Sequence, residues 1–211
     1  METSIGKQLA RTPTSCPTIP KVSSNAVAKF IECKGWTRKI AGDEDFGKAV
    51  EAVTTAHNAG RGLFISGKPG VGKTSLLRAL AKNYQDSVFL YCKNKEDIAT
   101  MRDTRSFDLN VGSVFIDDLG CEEIVHEYGN VIDVVGDFIQ FLHNRFNGRV
   151  FISSNIGLSQ QWEKDVNGAK IRPLTPEGVN ERYGGRVLDR ILEMCVCFQM
   201  KGKSKRERII L

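Results

Sequence analysis

Residues 64–80 read FISGKPGVGKTSLLRAL, an apolar run that meets three glycines, a lysine and a threonine before an amphipathic pattern begins. Within it GKPGVGKT, Gly67 to Thr74, fits the spacing G-x-x-x-x-G-K-[ST], with a strand expected before it and a helix after it. Such glycines let consecutive backbone N–H groups curl around phosphate oxygens, and the following helix turns its positive N-terminal end toward them. The phosphate-contacting set is therefore Gly67, Lys68, Pro69, Gly70, Val71, Gly72, Lys73, Thr74 and Ser75. Lys73 is placed to reach the β and γ phosphates of ATP, and the Thr74 hydroxyl to bind Mg2+. A glycine-rich turn without a ligand is the plainer alternative; the flanking strand and helix argue against it.

Outward from this loop, short β-rich runs alternate with helical stretches. The runs are GLFIS (62–66), SVFLYC (87–92), SVFIDD (113–118), RVFISSN (149–155) and CVCFQM (195–200). Between them lie KTSLLRALAKNY (73–84), KEDIATMRD (95–103) and VIDVVGDFIQFLHNRF (131–146), the last with Val131, Val135, Phe138, Leu142 and Phe146 on one helical face. An earlier helix is predicted from Asp43, with Phe46, Val50 and Val53 at spacings of three and four. The pattern is that of an α/β, P-loop NTPase fold, a parallel sheet with helices on both faces, which holds ligands at the carboxyl ends of its strands. Residues 1–42, rich in Pro, Ser, Thr and Lys, read as a basic N-terminal arm with one short helix near Ser24 to Cys33, a candidate partner- or DNA-binding segment; 43–211 read as the domain that carries the phosphate loop, the part that the resemblance below makes an AAA+ ATPase domain.

Composition narrows the function classes. A chain of 211 residues that is 41% hydrophobic can bury one full core. Six cysteines form no CxxC pair and three histidines add no zinc-type spacing, so reduced, mostly buried thiols in a cytoplasmic protein are expected. No stretch resembles a signal peptide or a membrane helix. The net charge of +5 gathers at the ends, at Lys7, Arg11, Lys21, Lys29, Lys34, Arg38 and Lys39, and again at Lys201, Lys203, Lys205, Arg206 and Arg208. A polyanionic partner and solvated termini are both consistent with that distribution.

Three further motifs bear on the phosphate loop. VFIDDLG, 114–120, is an apolar strand ending in two carboxylates that alternation turns in opposite directions. Asp117 takes the Mg2+ shell, and Asp118 takes the role of base or water-orienting group. VFISSN, 150–155, ends another strand on Asn155, whose amide is suited to sensing the γ phosphate; a turn-forming Asn is the alternative. In ERYGGRVLDRILEMC, 181–195, Arg182, Arg186 and Arg190 recur every four residues along a predicted helix, along one side of it. One of them is a candidate arginine finger for a neighbouring subunit, against the alternative of surface ion pairs with Glu181, Asp189 and Glu193.

In this order and spacing the four elements resemble the AAA+ ATPases, and within them the DnaC-like helicase loaders and the IstB-like transposition ATPases. The resemblance runs from about Phe46 to Arg206, and the RYG…R…DR…EMC…KGKS ending is its most specific part. It implies Lys73 and Thr74 as the Walker A pair, Asp117 as the Walker B metal residue, Asp118 as the catalytic acid position and Asn155 as sensor 1. Arg190 falls where the arginine finger is expected, with Arg186 in reserve, and Arg206 at a late nucleotide or DNA arginine. No C-terminal lid domain is expected. The chain departs from the family in carrying Asp118 where many members have Glu and Lys205 where they have Tyr.

The function implied is an ATP-dependent replication protein that loads a replicative hexameric helicase onto single-stranded DNA. ATP would drive its homo-oligomerisation, and hydrolysis its release. The alternatives are an IstB-like transposition helper ATPase acting on duplex DNA, a nucleotide-gated DNA and protein adaptor with negligible hydrolysis, and a small-molecule kinase.

Overall fold

Every β-rich run of the sequence becomes a strand of one sheet in the computed structural model, which describes residues 21–202 apart from 85, 124, 128, 129, 165–167, 169 and 176. The terminal basic residues Lys7, Arg11, Lys203, Lys205, Arg206 and Arg208 lie outside the described residues. In chain order the elements are α1 (Ser24–Cys33), α2 (Arg38–Ala41), α3 (Asp43–Asn58), β1 (Gly62–Gly67), α4 (Lys73–Ala81), β2 (Ser87–Tyr91), α5 (Lys95–Arg102) and β3 (Ser113–Leu119). Then come β4 (Val125–Glu127), β5 (Asn130–Ile132), α6 (Val134–Arg145), β6 (Arg149–Ser154), β7 (Trp162–Lys164), β8 (Lys170–Pro173), α7 (Val179–Tyr183), α8 (Gly185–Met194) and β9 (Cys195–Met200).

The main sheet has five strands in the order β2-β3-β6-β1-β9, all parallel, while β4–β5 and β7–β8 form two small antiparallel pairs. Because successive residues of a strand face opposite ways, both faces of a covered sheet must be apolar, and the strands obey. Phe64, Val114, Ile116, Val150 and Ile152 pack with α6 and α8. Leu63, Ile65, Phe115, Phe151 and Phe198 pack with α1, α3 and α4. In register across this second face stand Phe89, Phe115 and Phe151, the rings of neighbours stacked at 5.7 and 4.6 Å between centroids.

Two expectations change. Helix α6 begins at Val134 rather than Val131, because Asp133 caps it by accepting the Gly136 N–H at 2.8 Å, while 130–132 pair as β5. The second half of the 1–42 arm is part of the core. Val27 and Ile31 of α1 are buried, as are Trp36 and Ala41. Trp36 is fully buried, its ring stacked on Phe46 at 5.5 Å, and the Arg38 guanidinium lies 4.6 Å from the other ring of that stack. Trp36→Ala is expected to cost about 3–5 kcal/mol of folding stability, to be read by denaturant unfolding.

Among the described cysteines none is in a disulfide; Cys92 and Cys195 are buried, but Cys33 and Cys197 are exposed, so the thiols are not mostly buried as expected. Among the described residues no helix is long and apolar enough to cross a membrane.

Candidate nucleotide-binding site

Strand β1 ends at Gly67, and the chain turns through Lys68–Gly72 into α4, whose N-cap is Gly72. Gly72 has φ +104 and an added Cβ would meet Ile40 Cγ2 at 3.3 Å and Trp36 Nε1 at 3.4 Å, so both the turn and the packing call for glycine. Trp36 Nε1 donates to the Gly72 carbonyl at 3.2 Å, which hangs the loop from the N-terminal segment. Val71 is buried beneath the loop, while Lys68, Pro69 and Ser75 are exposed and Gly67 and Gly70 half-buried.

Lys73 is only 5% exposed. Its ammonium donates to the carbonyls of Gly67 and Lys68 at 2.8 and 3.0 Å and to Asn155 Oδ1 at 2.8 Å. The ammonium is thus held against the loop, where a bound phosphate would add a charge-assisted hydrogen bond. The neighbouring Thr74 hydroxyl donates to Asp117 Oδ1 at 3.2 Å. One hydroxyl and one carboxylate beside a phosphate loop suit Mg2+, which takes few protein ligands and completes its octahedron with water and substrate phosphate. Among the described residues no cluster of three or more His, Cys, Asp and Glu converges on a metal position. The ion would supply charge neutralisation on the phosphates.

β6 lies between β3 and β1, which sets Asn155 between the carboxylates and the lysine. Its Nδ2 donates to Asp118 Oδ1 at 3.3 Å and to Cys121 Sγ at 3.2 Å, while its Oδ1 holds Lys73. Asp117 is buried; Asp118, next along the chain, has φ +61 and a side chain 27% exposed. The unusual backbone is pinned by its own N–H, which donates to Ser153 Oγ at 3.1 Å, and by its carbonyl, which accepts from Cys121 N at 3.0 Å.

Two participants were missed in the sequence. Ser153, fully buried on β6, donates its hydroxyl to Asp117 Oδ1 and accepts from Asp118 N, so one side chain holds the Asp117 carboxylate and the Asp118 backbone. Its only signal in the sequence is a small polar residue following the apolar run Val150–Ile152. Lys93, just beyond β2, pairs with Asp118 Oδ2 at 2.9 Å, and nothing in the sequence points to it.

The arginines are not brought to this cluster, and they do not share one helix. Gly184, at φ +82, breaks the run between α7 and α8, because that backbone region lies outside the helix. Arg182, on α7, is bound to Glu122 at 3.0 Å. Arg190, on α8, pairs with Glu193 at 3.0 Å, and Glu193 also meets His143. Arg186 is exposed and makes no ion pair among the described residues. Beside the loop, a cleft of about 800 Å³ opens along the ends of β1, β6 and β9, lined by Gly67, Lys68, Asn155, Gln160, Phe198 and Lys201.

A parallel sheet in this strand order, with the glycine loop after β1 and the paired carboxylates one strand removed, is an α/β fold of the P-loop nucleotide-binding type. Solved structures similar to this chain include the following two. One is described as the crystal structure of the DnaI: the match is 21% identical, covers 79% of this chain and 94% of that one, and has a TM-score of 0.45. The other is AMPPCP-bound DnaA from Aquifex aeolicus, 16% identical over 75% of this chain and 47% of that one, also with a TM-score of 0.45. No family model and no curated protein matches the chain.

Proposed function

We propose that the protein is a Mg2+-dependent ATPase that assembles with ATP on single-stranded DNA and delivers a replicative hexameric helicase, hydrolysis serving as the release step. The observation that carries the ATPase part is the closed chain of contacts Lys73–Asn155–Asp118 and Thr74–Asp117 at the mouth of the phosphate loop. Lys73 binds the phosphates, Asp117 and Thr74 hold the metal, Asp118 orients the attacking water, and Asn155 links phosphate binding to that carboxylate. The loader part rests on the sequence resemblance, above all on the RYG…KGKS ending.

Among the described residues no arginine is bonded to the phosphate-loop cluster, Arg182 and Arg190 being paired with Glu122 and Glu193. Arg186 and Arg190 project from α8 instead, so ATP-driven self-association is expected to complete the site in trans. Arg190 must leave Glu193 to act, whereas Arg186 is free to do so; sedimentation of Arg186→Ala and Arg190→Ala with a slowly hydrolysed ATP analogue separates the two. The finger variant should bind ATP normally, lose assembly and lose turnover by about 10³-fold or more. Normal assembly and turnover in both variants would remove the trans arrangement. The loader reading is tested by affinity capture from host lysate with the analogue and again with ADP. Recovery of a hexameric helicase only with the analogue supports it, and recovery of a transposase moves the function to the IstB-like alternative.

A second reading is favoured by the Lys93–Asp118 ion pair, which occupies the proposed water-orienting carboxylate. In that reading the protein is a nucleotide-gated adaptor with negligible hydrolysis. Measured turnover per subunit in the presence of DNA distinguishes the two.

A further inference from the structure

Glu122 lies three residues beyond the end of β3, outside the phosphate-loop cluster, yet its side chain is only 11% exposed and gathers an unusual set of donors. Oε1 accepts from Arg182 Nε at 3.1 Å, from Arg182 Nη2 at 3.0 Å and from the Tyr183 hydroxyl. Oε2 accepts the Gly120 N–H at 3.0 Å, and the Glu122 carbonyl accepts from Arg182 Nη2 at 3.0 Å. Burial, together with the Glu122 charge beside it, drives the Tyr183 hydroxyl well above its ordinary pKa, so it stays a proton donor. An ion pair at such low exposure offers little net stability over an apolar packing of the same volume, so its value lies in fixing one arrangement.

That arrangement joins two parts of the molecule. On one side is the loop 118–122. It begins with Asp118 in its left-handed conformation and passes Gly120, at φ +89, where a Cβ would strike Ile156 Cδ1 at 2.9 Å. The loop is tied to β6 by the Ser154 hydroxyl on the Leu119 carbonyl at 2.8 Å. On the other side are the last two residues of α7, followed at once by the Gly184 turn and by α8 with Arg186 and Arg190. A rigid bond between the loop and α7, followed by a glycine turn, passes a displacement of the loop to the start of α8.

We infer that Glu122 is a positioning residue which, through Arg182 and Tyr183, couples the setting of the Asp118 loop to the placement of the helix that presents Arg186 and Arg190 to a second copy of the chain. The inference rests on the trans arrangement proposed above. It makes the nucleotide state of one site a determinant of how its own subunit contacts the next, a coupling that by linkage must run in both directions.

The test uses the full chain with two readouts. ATP-analogue affinity is measured on dilute, monomeric protein, and the midpoint of analogue-driven self-association is measured by sedimentation. Glu122→Gln keeps the shape of the side chain and removes the charge. It should leave monomer affinity within about threefold while raising the association midpoint by about tenfold, inside the usual range of coupling between sites. Tyr183→Phe, which keeps the ion pair, should move the midpoint less. Should Glu122→Gln fail to fold because Arg182 is left unpaired, the double variant Glu122→Gln with Arg182→Gln removes the buried charge and must show the same separation of readouts. Equal losses in monomer affinity and association would mark Glu122 as merely structural and overturn the inference. A normal midpoint in Glu122→Gln would overturn it as well, while leaving the trans arginine standing. If the unmodified protein fails to associate with the analogue at all, the trans arrangement falls and the coupling with it.

Discussion

Lys73→Ala is expected to weaken ATP binding by orders of magnitude, as read by titration calorimetry or a fluorescent ATP analogue. In the proposed site the ammonium contacts both terminal phosphates, and each hydrogen bond between charged partners is worth about 1.5–3 kcal/mol. Two such bonds set the loss at roughly 10²- to 10⁴-fold, since 1.4 kcal/mol is a factor of ten. The substitution also strips the donor from the Gly67 and Lys68 carbonyls and from Asn155 Oδ1, which frees the loop that has to be preformed around the phosphates. Lys73→Arg is not a rescue, because a forked guanidinium does not fit a point-charge position that is 5% exposed. Retained affinity in Lys73→Ala would remove the phosphate-loop reading at its base.

Asp118→Asn should separate binding from turnover. The amide keeps an oxygen for Asn155 Nδ2 and leaves Asp117, Thr74 and Lys73 untouched, so ATP affinity should hold within about threefold. A carboxamide cannot take a proton from water, and loss of a general base typically costs about 10²- to 10⁴-fold in rate. Phosphate release under single-turnover conditions is the measurement. An unchanged rate would pass the water-orienting role to another group. Lys93→Met provides the opposite control: by releasing Asp118 Oδ2 it should raise basal hydrolysis if the ion pair restrains the carboxylate, and lower it if the pair holds the carboxylate in its working position.

The strands and the phosphate loop were legible because their signals are local. Runs such as VFLY and VFIDD are apolar on both faces, and the glycine spacing of the loop reflects a backbone demand that few other sequences meet. The placement of Asp117, Asp118 and Asn155 at the carboxyl edge was readable for the same reason, each standing within two residues of the end of its strand. What escaped depends on contacts between distant residues. Lys93 acquires its role only through a partner 25 positions away, and Ser153 only through β6 lying beside β3. In the arginine run, Gly184 and Gly185 announced a break that the four-residue spacing concealed. Residues 21–42 were lost to averaging, because the surrounding Pro, Ser and Thr diluted the pattern at Val27, Ile31 and Trp36.

The indole under the phosphate loop has a practical consequence for dissecting the molecule. A cut at residue 43, where the polar N-terminal composition gives way to the first long helix, would remove the ring stacked on Phe46 and the donor to the Gly72 carbonyl together. The remaining piece would keep every phosphate-binding residue in its sequence and still present a slackened loop above an exposed aromatic surface. Poor solubility and weak nucleotide affinity in such a fragment would report on the scissors rather than on the chemistry, and the smallest faithful unit begins no later than Lys21.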